Sequence, residues 1–398
     1  MVIECSKSVG LAWFLRKSLA GEALSAQAAV LLNQLTTTAA GAKAAGAWRD
    51  AALALMSMGQ SALGLEFLQQ ALQLNRHFVL PHPPEATLRV LMLMYPGALS
   101  ANTPLECLLD TMPLVIIQSY LPDDSAAVAA LSVADLPDHD VLWMAVAESP
   151  ESQAVLQALL WPLAHWPHPV VNAPQAMLKI ARHCVAETLQ GLEELYVPET
   201  EIVQRVSLSD PVSHRQWHYP LIVRPEGSQG GVGLAQITQP EEWQAYLVQR
   251  AEPAFYLAPY IDYRNVDGWF GKMRIALLDG CAWPCHYAFS SHWMVHYVSA
   301  GMYENPEKRA LEQKWMQNFA QWSQAYAALW PEISRRLGLT YVLLDMAQLQ
   351  DGRLLLFEAD PAMVVHRMDS PTLFPYKEAP MRGLQEAVVR WLYRLAGQ

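Results

Sequence analysis

The chain reads as a mixed α/β and α+β protein preceded by an all-α region, and three observations carry that reading. Apolar residues recur at helical intervals near the start; short apolar runs then alternate with helical stretches; and a hairpin with acids on one face lies near the end. Four segments follow: helical (1–80), open α/β (81–180), a glycine-loop segment (181–258) and a segment carrying the acidic hairpin (259–398).

Residues 1–80 are rich in Ala, Leu and Gln, with Leu53, Met56, Leu63, Phe67, Ala71 and Leu74 at helical spacing. AWRDAALALMSMGQSALGLEFLQQALQLN (47–75) looks like one tetratricopeptide-style helical pair, with room for a second at 9–35. Stacked pairs present a concave face to a peptide or partner protein, but two are too few for a stable array. A helical cap packed on the rest of the chain is the equal alternative.

Next, PLVIIQSYL (113–121) and DVLWMAVAE (140–148) suit a buried parallel sheet, and SPESQAVLQALLWPLAHW (149–166) is helix-like. Residues 219–233, YPLIVRPEGSQGGVG, are a short apolar strand ending in Arg224 and a loop with Gly227, Ser228, Gly230, Gly231 and Gly233. Glycines let backbone N–H groups approach phosphate oxygens, and a guanidinium binds them bidentately. The loop matches neither the dinucleotide fingerprint nor the P-loop, and by itself it reads equally as a glycine-rich hairpin.

AFYLAPYI (254–261) and GKMRIALLDG (271–280) read as further strands, followed by a polar and aromatic stretch holding Ser290, Ser291, His292, His296 and Tyr297. YVLLDMAQL (341–349) and RLLLFEAD (353–360) are strands joined by Asp351-Gly352, a favoured pair for a two-residue turn. That turn sets Asp345 opposite Glu358, with Asp360 on the same face. Like charges so placed repel. A hard divalent ion would reverse the sign, and Mg2+, which takes oxygen ligands and substrate phosphates, is the natural candidate. Solvated acids on an exposed hairpin are the bland alternative.

Taken in order, these pieces resemble the ATP-grasp superfamily of carboxylate ligases, from about residue 95 to 395. Glu358-Ala359-Asp360 looks like the family's Glu-x-Asn magnesium signature, with Asp for Asn. VVNAPQAMLKIARHCVAETLQGLEELYVPET (170–200) is similar to the family's passage into its central domain, with Arg182 in the place of its phosphate-binding base. The resemblance implies an open α/β domain followed by two α+β subdomains that clasp ATP, with a lid at 181–258 and a C-terminal subdomain at 259–398. It implies phosphate binding by Arg182, Arg224, Ser228, Gly230 and Gly231, adenine binding by the backbone of Tyr256, Leu257 and Ala258, and Mg2+ binding by Asp345, Glu358 and Asp360. Arg274 would face the carboxylate and the transferring phosphate, and His296 would act in proton transfer. The reaction implied is ADP-forming: an acyl phosphate forms, and an amine displaces phosphate to give an amide. Arg182 and Arg224 replace the usual lysines, and the hinge has Ala258-Pro259-Tyr260 where the family commonly has an acid before an aromatic.

Composition agrees with a large enzyme of two or three domains: 398 residues, 52% hydrophobic and 16% charged. A net charge of −11 without a basic block argues against nucleic acid as the main partner. No stretch is apolar enough to span a bilayer, and MVIECSKSVGLAWFLRKSLAGEALSAQAAV lacks the pattern of a signal peptide. Five scattered cysteines point to reduced thiols and a cytoplasmic setting; Cys281 to His286 lacks a second ligand pair for zinc. Three functions are compatible with these residues: a ligase acting on a small-molecule or peptide carboxylate and an amine, a non-catalytic nucleotide- or peptide-binding module, and an ATP-dependent kinase.

Overall fold

The computed structural model describes residues 3–37, 42–208 and 218–398. Residues 38–41 of the helical region and 209–217 of the expected lid lie outside the described residues. The chain forms two units, one of residues 1–178, 339–341 and 361–398, the other of 179–338 and 342–360.

The first unit is built on a six-stranded sheet of β1 (Ser6–Lys7), β2 (His77–Val79), β3 (Leu88–Met94), β4 (Leu114–Tyr120), β5 (Val141–Met144) and β6 (Val170–Val171), in the order β1-β2-β4-β3-β5-β6. The strands β4, β3, β5 and β6 are mutually parallel. Such strands are covered on both faces, which is why they read as unbroken apolar runs. All four residues of β5 are fully buried. Trp143 on β5 packs edge-on against Tyr341 and Trp391. Asn172 binds the backbone of Thr340 and Tyr341, and Gln385 donates to the Leu108 carbonyl at 2.6 Å. These contacts draw the late segments 339–341 and 361–398 into this unit.

Among the described residues, four helices occupy the N-terminal region: α1 (Leu11–Leu19), α2 (Leu24–Thr37), α3 (Ala42–Ser57) and α4 (Ser61–Leu74). They do not form a region apart from the sheet, because β1 and β2 bracket them and pair within it. Glycine sets the packing twice. A Cβ on Gly46 would lie 1.9 Å from the Lys7 carbonyl oxygen, and one on Gly64 would lie 2.5 Å from Met56 Cγ. So α3 rests on β1, and α4 closes onto α3. The buried stripe of α4 is Gly64, Leu68, Ala71 and Leu72, whereas Leu63 and Leu74 are exposed. Of the α4 positions at helical spacing, Ala71 is buried and Phe67 half-buried, so the apolar pattern located the helix but only part of its inward face. The long helix expected at 149–166 is two short ones, Gln153–Ala158 and Leu160–Ala164.

Among its described residues, the second unit holds two sheets. One, antiparallel, contains β8 (Glu201–Gln204), β9 (Leu221–Pro225), β10 (Ala235–Ile237) and β11 (Ala254–Pro259) in the order β10-β9-β11-β8, with Leu221, Val223, Phe255 and Leu257 buried against Trp243. The other contains β7 (Leu195–Tyr196), β12 (Phe270–Leu278), β13 (Cys281–Ser290), β14 (Tyr341–Gln348) and β15 (Leu354–Asp360) in the order β13-β12-β14-β15-β7.

The hairpin β14–β15 brings Asp345 opposite Glu358 by a different route from the two-residue turn expected. Leu349 pairs with Arg353 across a three-residue loop, closed by Gly352 N–H on the Leu349 carbonyl with Gly352 at φ 91°. Gln348 then faces Leu354, one residue off the expected register, and an irregularity after Asp345 restores it. A left-handed glycine at the end of a three-residue loop is a favoured hairpin closure, and the bulge adds the missing residue.

Candidate functional site

The acids of the hairpin are not left facing each other. Asp345, 3% exposed, receives Lys272 Nζ at 2.9 Å and Arg274 at 2.7 Å through Nε and 3.1 Å through a terminal nitrogen. Both cations stand on β12, two residues apart and therefore on one face, beside β14. Burial alone would raise the Asp345 carboxyl; Arg274 and then Lys272 outweigh it and hold the group far below the ordinary carboxylate range. Glu358 accepts a hydrogen bond from Arg182, near the start of the helix Arg182–Thr188. The repulsion expected from sequence is thus relieved by three side-chain cations.

Arg224, next to last in β9, is fixed to the glycine loop, donating to the Ser228 hydroxyl at 3.1 Å and to the Ser228 carbonyl. Ser228 Oγ donates in turn to the Pro225 carbonyl at 2.8 Å. Burial, and then the neighbouring Arg182, push the Arg224 guanidinium down to about 10. The two guanidinium groups oppose each other's charge, which an anion between them would relieve.

The loop turns through Gly230 at φ 61° and Gly231 at φ 78°. A Cβ on Gly231 would lie 2.4 Å from His296 Nε2, so the backbone closes directly on the imidazole. His296 is lowered from its ordinary value by burial, then by Lys272, with Arg224 and Arg274 adding to the effect and Asp345 opposing it. Its ring therefore lies within the electrostatic reach of cations from β9 and β12. Arg182, Arg224, Ser228, Gly231, Arg274, His296, Asp345 and Glu358 are brought together with Lys272. Even counting Asp360, four cations meet three acids, a balance suited to polyphosphate.

Other sequence-derived roles fit less closely. Tyr256 and Leu257 are paired on both sides, with β8 and β9, whereas Ala258 pairs with Ile222 alone. Of the three expected hinge residues, only Ala258 extends past the β8 ladder. No group of three His, Cys, Asp or Glu side chains suited to a metal occurs among the described residues, which bears on the acidic trio and on Cys281 to His286 alike. Asp345 has both oxygens occupied by cations and does not fit as a metal ligand. Glu358 and Asp360 fit better, two residues apart on one face of β15, since Mg2+ commonly takes only one or two carboxylates. All five cysteines are free thiols. Among the described residues, no helix is long and apolar enough to cross a membrane.

Glu312, on the helix Pro306–Gln317, was not foreseen. It is fully buried and accepts from the Tyr287 N–H and the Tyr297 hydroxyl, both at 2.9 Å. It thereby ties β13 to the residue next to His296. One acid in a mostly polar helix gave no signal in the sequence.

No protein-family model and no curated protein matches this sequence. Among solved structures, the chain is similar to a D-alanine–D-alanine ligase from Bacillus anthracis, with 13% identity, 78% of this chain and 97% of that one covered, and a TM-score of 0.48. It is also similar to a RimK domain ATP-grasp protein from Sphaerobacter thermophilus, with 15% identity, coverage of 74% and 98%, and a TM-score of 0.43. A D-alanine–D-alanine ligase from Coxiella burnetii is similar at 12% identity, with coverage of 76% and 98% and a TM-score of 0.45. At such identities and scores these are likenesses, and they assign neither fold nor chemistry to this chain.

Proposed function

We propose that this protein is an ATP-dependent, ADP-forming carboxylate–amine ligase on an ATP-grasp framework, acting on a small-molecule or peptide carboxylate in the cytoplasm. The observation that carries the reading is the gathering of Arg182, Arg224, Lys272 and Arg274, all half-buried, about His296 and a glycine loop to which Arg224 is tied. Ligation through an acyl phosphate asks the protein mainly to position reactants and neutralise charge, and cations already held in place do both without reorganisation. Arg224, locked to Ser228, and Arg182 would hold the terminal phosphates. Lys272 and Arg274, oriented by Asp345, would face the transferring phosphoryl group and the substrate carboxylate. His296, whose lowered proton affinity keeps it neutral at pH 7, would accept a proton from the attacking amine. The backbone at Ala258 would receive the adenine. Glu358 and Asp360 would hold Mg2+, which when bound neutralises phosphate charge.

The occupation of Asp345 by two cations favours a second reading, a nucleotide-binding module without turnover. Steady-state ADP release separates the two. The ligase requires ADP formation that depends on both a carboxylate and an amine, with hydroxylamine as a general trap for the acyl phosphate. Tight nucleotide binding with no ADP formed across amino acid and peptide substrates would favour the module.

A further inference from the structure

The segment 291–304 carries His296 in turns from β13 to the helix Pro306–Gln317, and it is held at several points. Val295, Ala300 and Met302 are buried. Tyr263 donates its hydroxyl to the Trp293 carbonyl. From the helix, Lys308 donates to the Ala300 carbonyl, and Arg309 to the carbonyls of Met302 and Tyr303 at 2.9 and 2.7 Å. Glu312 accepts the Tyr297 hydroxyl at 2.9 Å. Lys308 and Arg309 lie four and three residues before Glu312, so one side of the helix grips the segment.

Of these holds, Glu312 acts on the residue that adjoins His296, and it is fully buried. A carboxylate out of water is costlier than an apolar side chain of similar size unless its hydrogen bonds are well made. One of its oxygens takes the Tyr297 hydroxyl, and the other takes the Tyr287 N–H at 2.9 Å on β13, the edge strand of its sheet. Trp315, three residues on, packs edge-on against the Tyr287 ring with centroids 5.1 Å apart. The acid therefore stands on a braced strand. Tyr297 also meets the His286 ring with centroids 4.7 Å apart, and His286 pairs with Arg274 across the β12–β13 ladder.

We infer that Glu312 is a positioning residue that, through the Tyr297 hydroxyl, fixes His296 against the backbone of Gly231. The inference rests on the proposed role of His296 as proton acceptor. Apolar contact is non-directional, whereas a hydrogen bond sets distance and angle together, and proton transfer needs both. Capping the edge of β13 uses the bond to Tyr287 alone. The bond to Tyr297 adds a fixed place for the imidazole among the charges of Lys272, Arg224, Arg274 and Asp345.

Tyr297→Phe tests this, since it removes the tie and leaves every charge and the Tyr287 bond in place. NMR titration of the full-length protein without nucleotide reads the imidazoles one by one. With the tie lost, the His296 midpoint should rise by at least about 0.3 towards the free value of about 6.5, as burial and the three cations lose their hold. His139, in the first unit, should keep its own midpoint. In the ADP-release assay with hydroxylamine, kcat should fall at least about tenfold while the KM for ATP changes by less than about threefold. An unmoved His296 midpoint, or a shift shared by His139, overturns the proposal and leaves Glu312 as the cap of a sheet edge. If no substrate supports ADP release, the ligase reading falls, and the His296 midpoint alone decides the positioning role. Should Tyr297→Phe fail to fold, Glu312→Asp, which keeps the charge and shortens the arm by one carbon, is read in the same way.

Discussion

At Asp345, burial and charge pull in opposite directions, and charge wins. Asp345→Asn would leave the half-buried Lys272 and Arg274 beside each other without their buried counter-charge, a loss of up to about 3 kcal/mol, the lower end for broken buried pairs because both cations keep some solvent; urea unfolding measures it. Because the folded carboxyl lies below its unfolded value of about 3.9, its contribution to stability is complete above that pH and declines as pH falls below it. The variant's unfolding curve should lack that acid-limb slope. Glu358 carries an opposite lesson. Two facing acids would make Glu358→Gln neutral or stabilising without metal, but its pairing with Arg182 reverses the sign, and the variant should lose about 1–3 kcal/mol. An unchanged or raised melting temperature would mean that the pair contributes nothing. Burial and then Lys272 lower the His296 imidazole from its ordinary value, so its folded form resists protonation as pH drops below about 6.5. Proton-shift NMR on the imidazole should place its midpoint below that value, with Lys272→Met moving it back up.

The glycine loop and the acidic hairpin are the elements on which the site depends. Gly231→Ala would force a Cβ at positive φ into the His296 ring, so nucleotide affinity should fall at least tenfold while global stability falls by only about 1–2 kcal/mol. Isothermal titration beside a melting curve separates the two effects. The hairpin was legible in the sequence because strand side chains alternate strictly, and its outcome survived two errors of one residue that cancelled, a longer loop and a bulge. The partners of its acids were not legible. Arg182 lies 176 residues from Glu358, and Arg274 lies 71 from Asp345, distances over which no local pattern operates. In α4, helical spacing was clear, but Leu63 and Leu74 are apolar and exposed, so hydrophobicity alone marked only part of the buried face.

For the whole molecule, the division into two units gives nucleotide binding a definite footprint. Hydrogen exchange with and without Mg-ATP should show protection at 221–234, 270–278 and 341–360, and the six-stranded sheet's β3 and β5 should exchange alike in both conditions. Length and composition foretold a chain of more than one unit, but not that residues 361–398 would join the N-terminal sheet, since that assignment rests on contacts such as Trp143 with Trp391. The most direct test of the cation cluster as a polyphosphate site is calorimetric titration of ATP, with Mg2+ present, into the unaltered protein and into Arg224→Met. The cluster predicts saturable one-to-one binding that weakens at least tenfold in the variant, the loss of one charged contact. Absence of binding by the folded protein, or equal affinity in Arg224→Met, would contradict it.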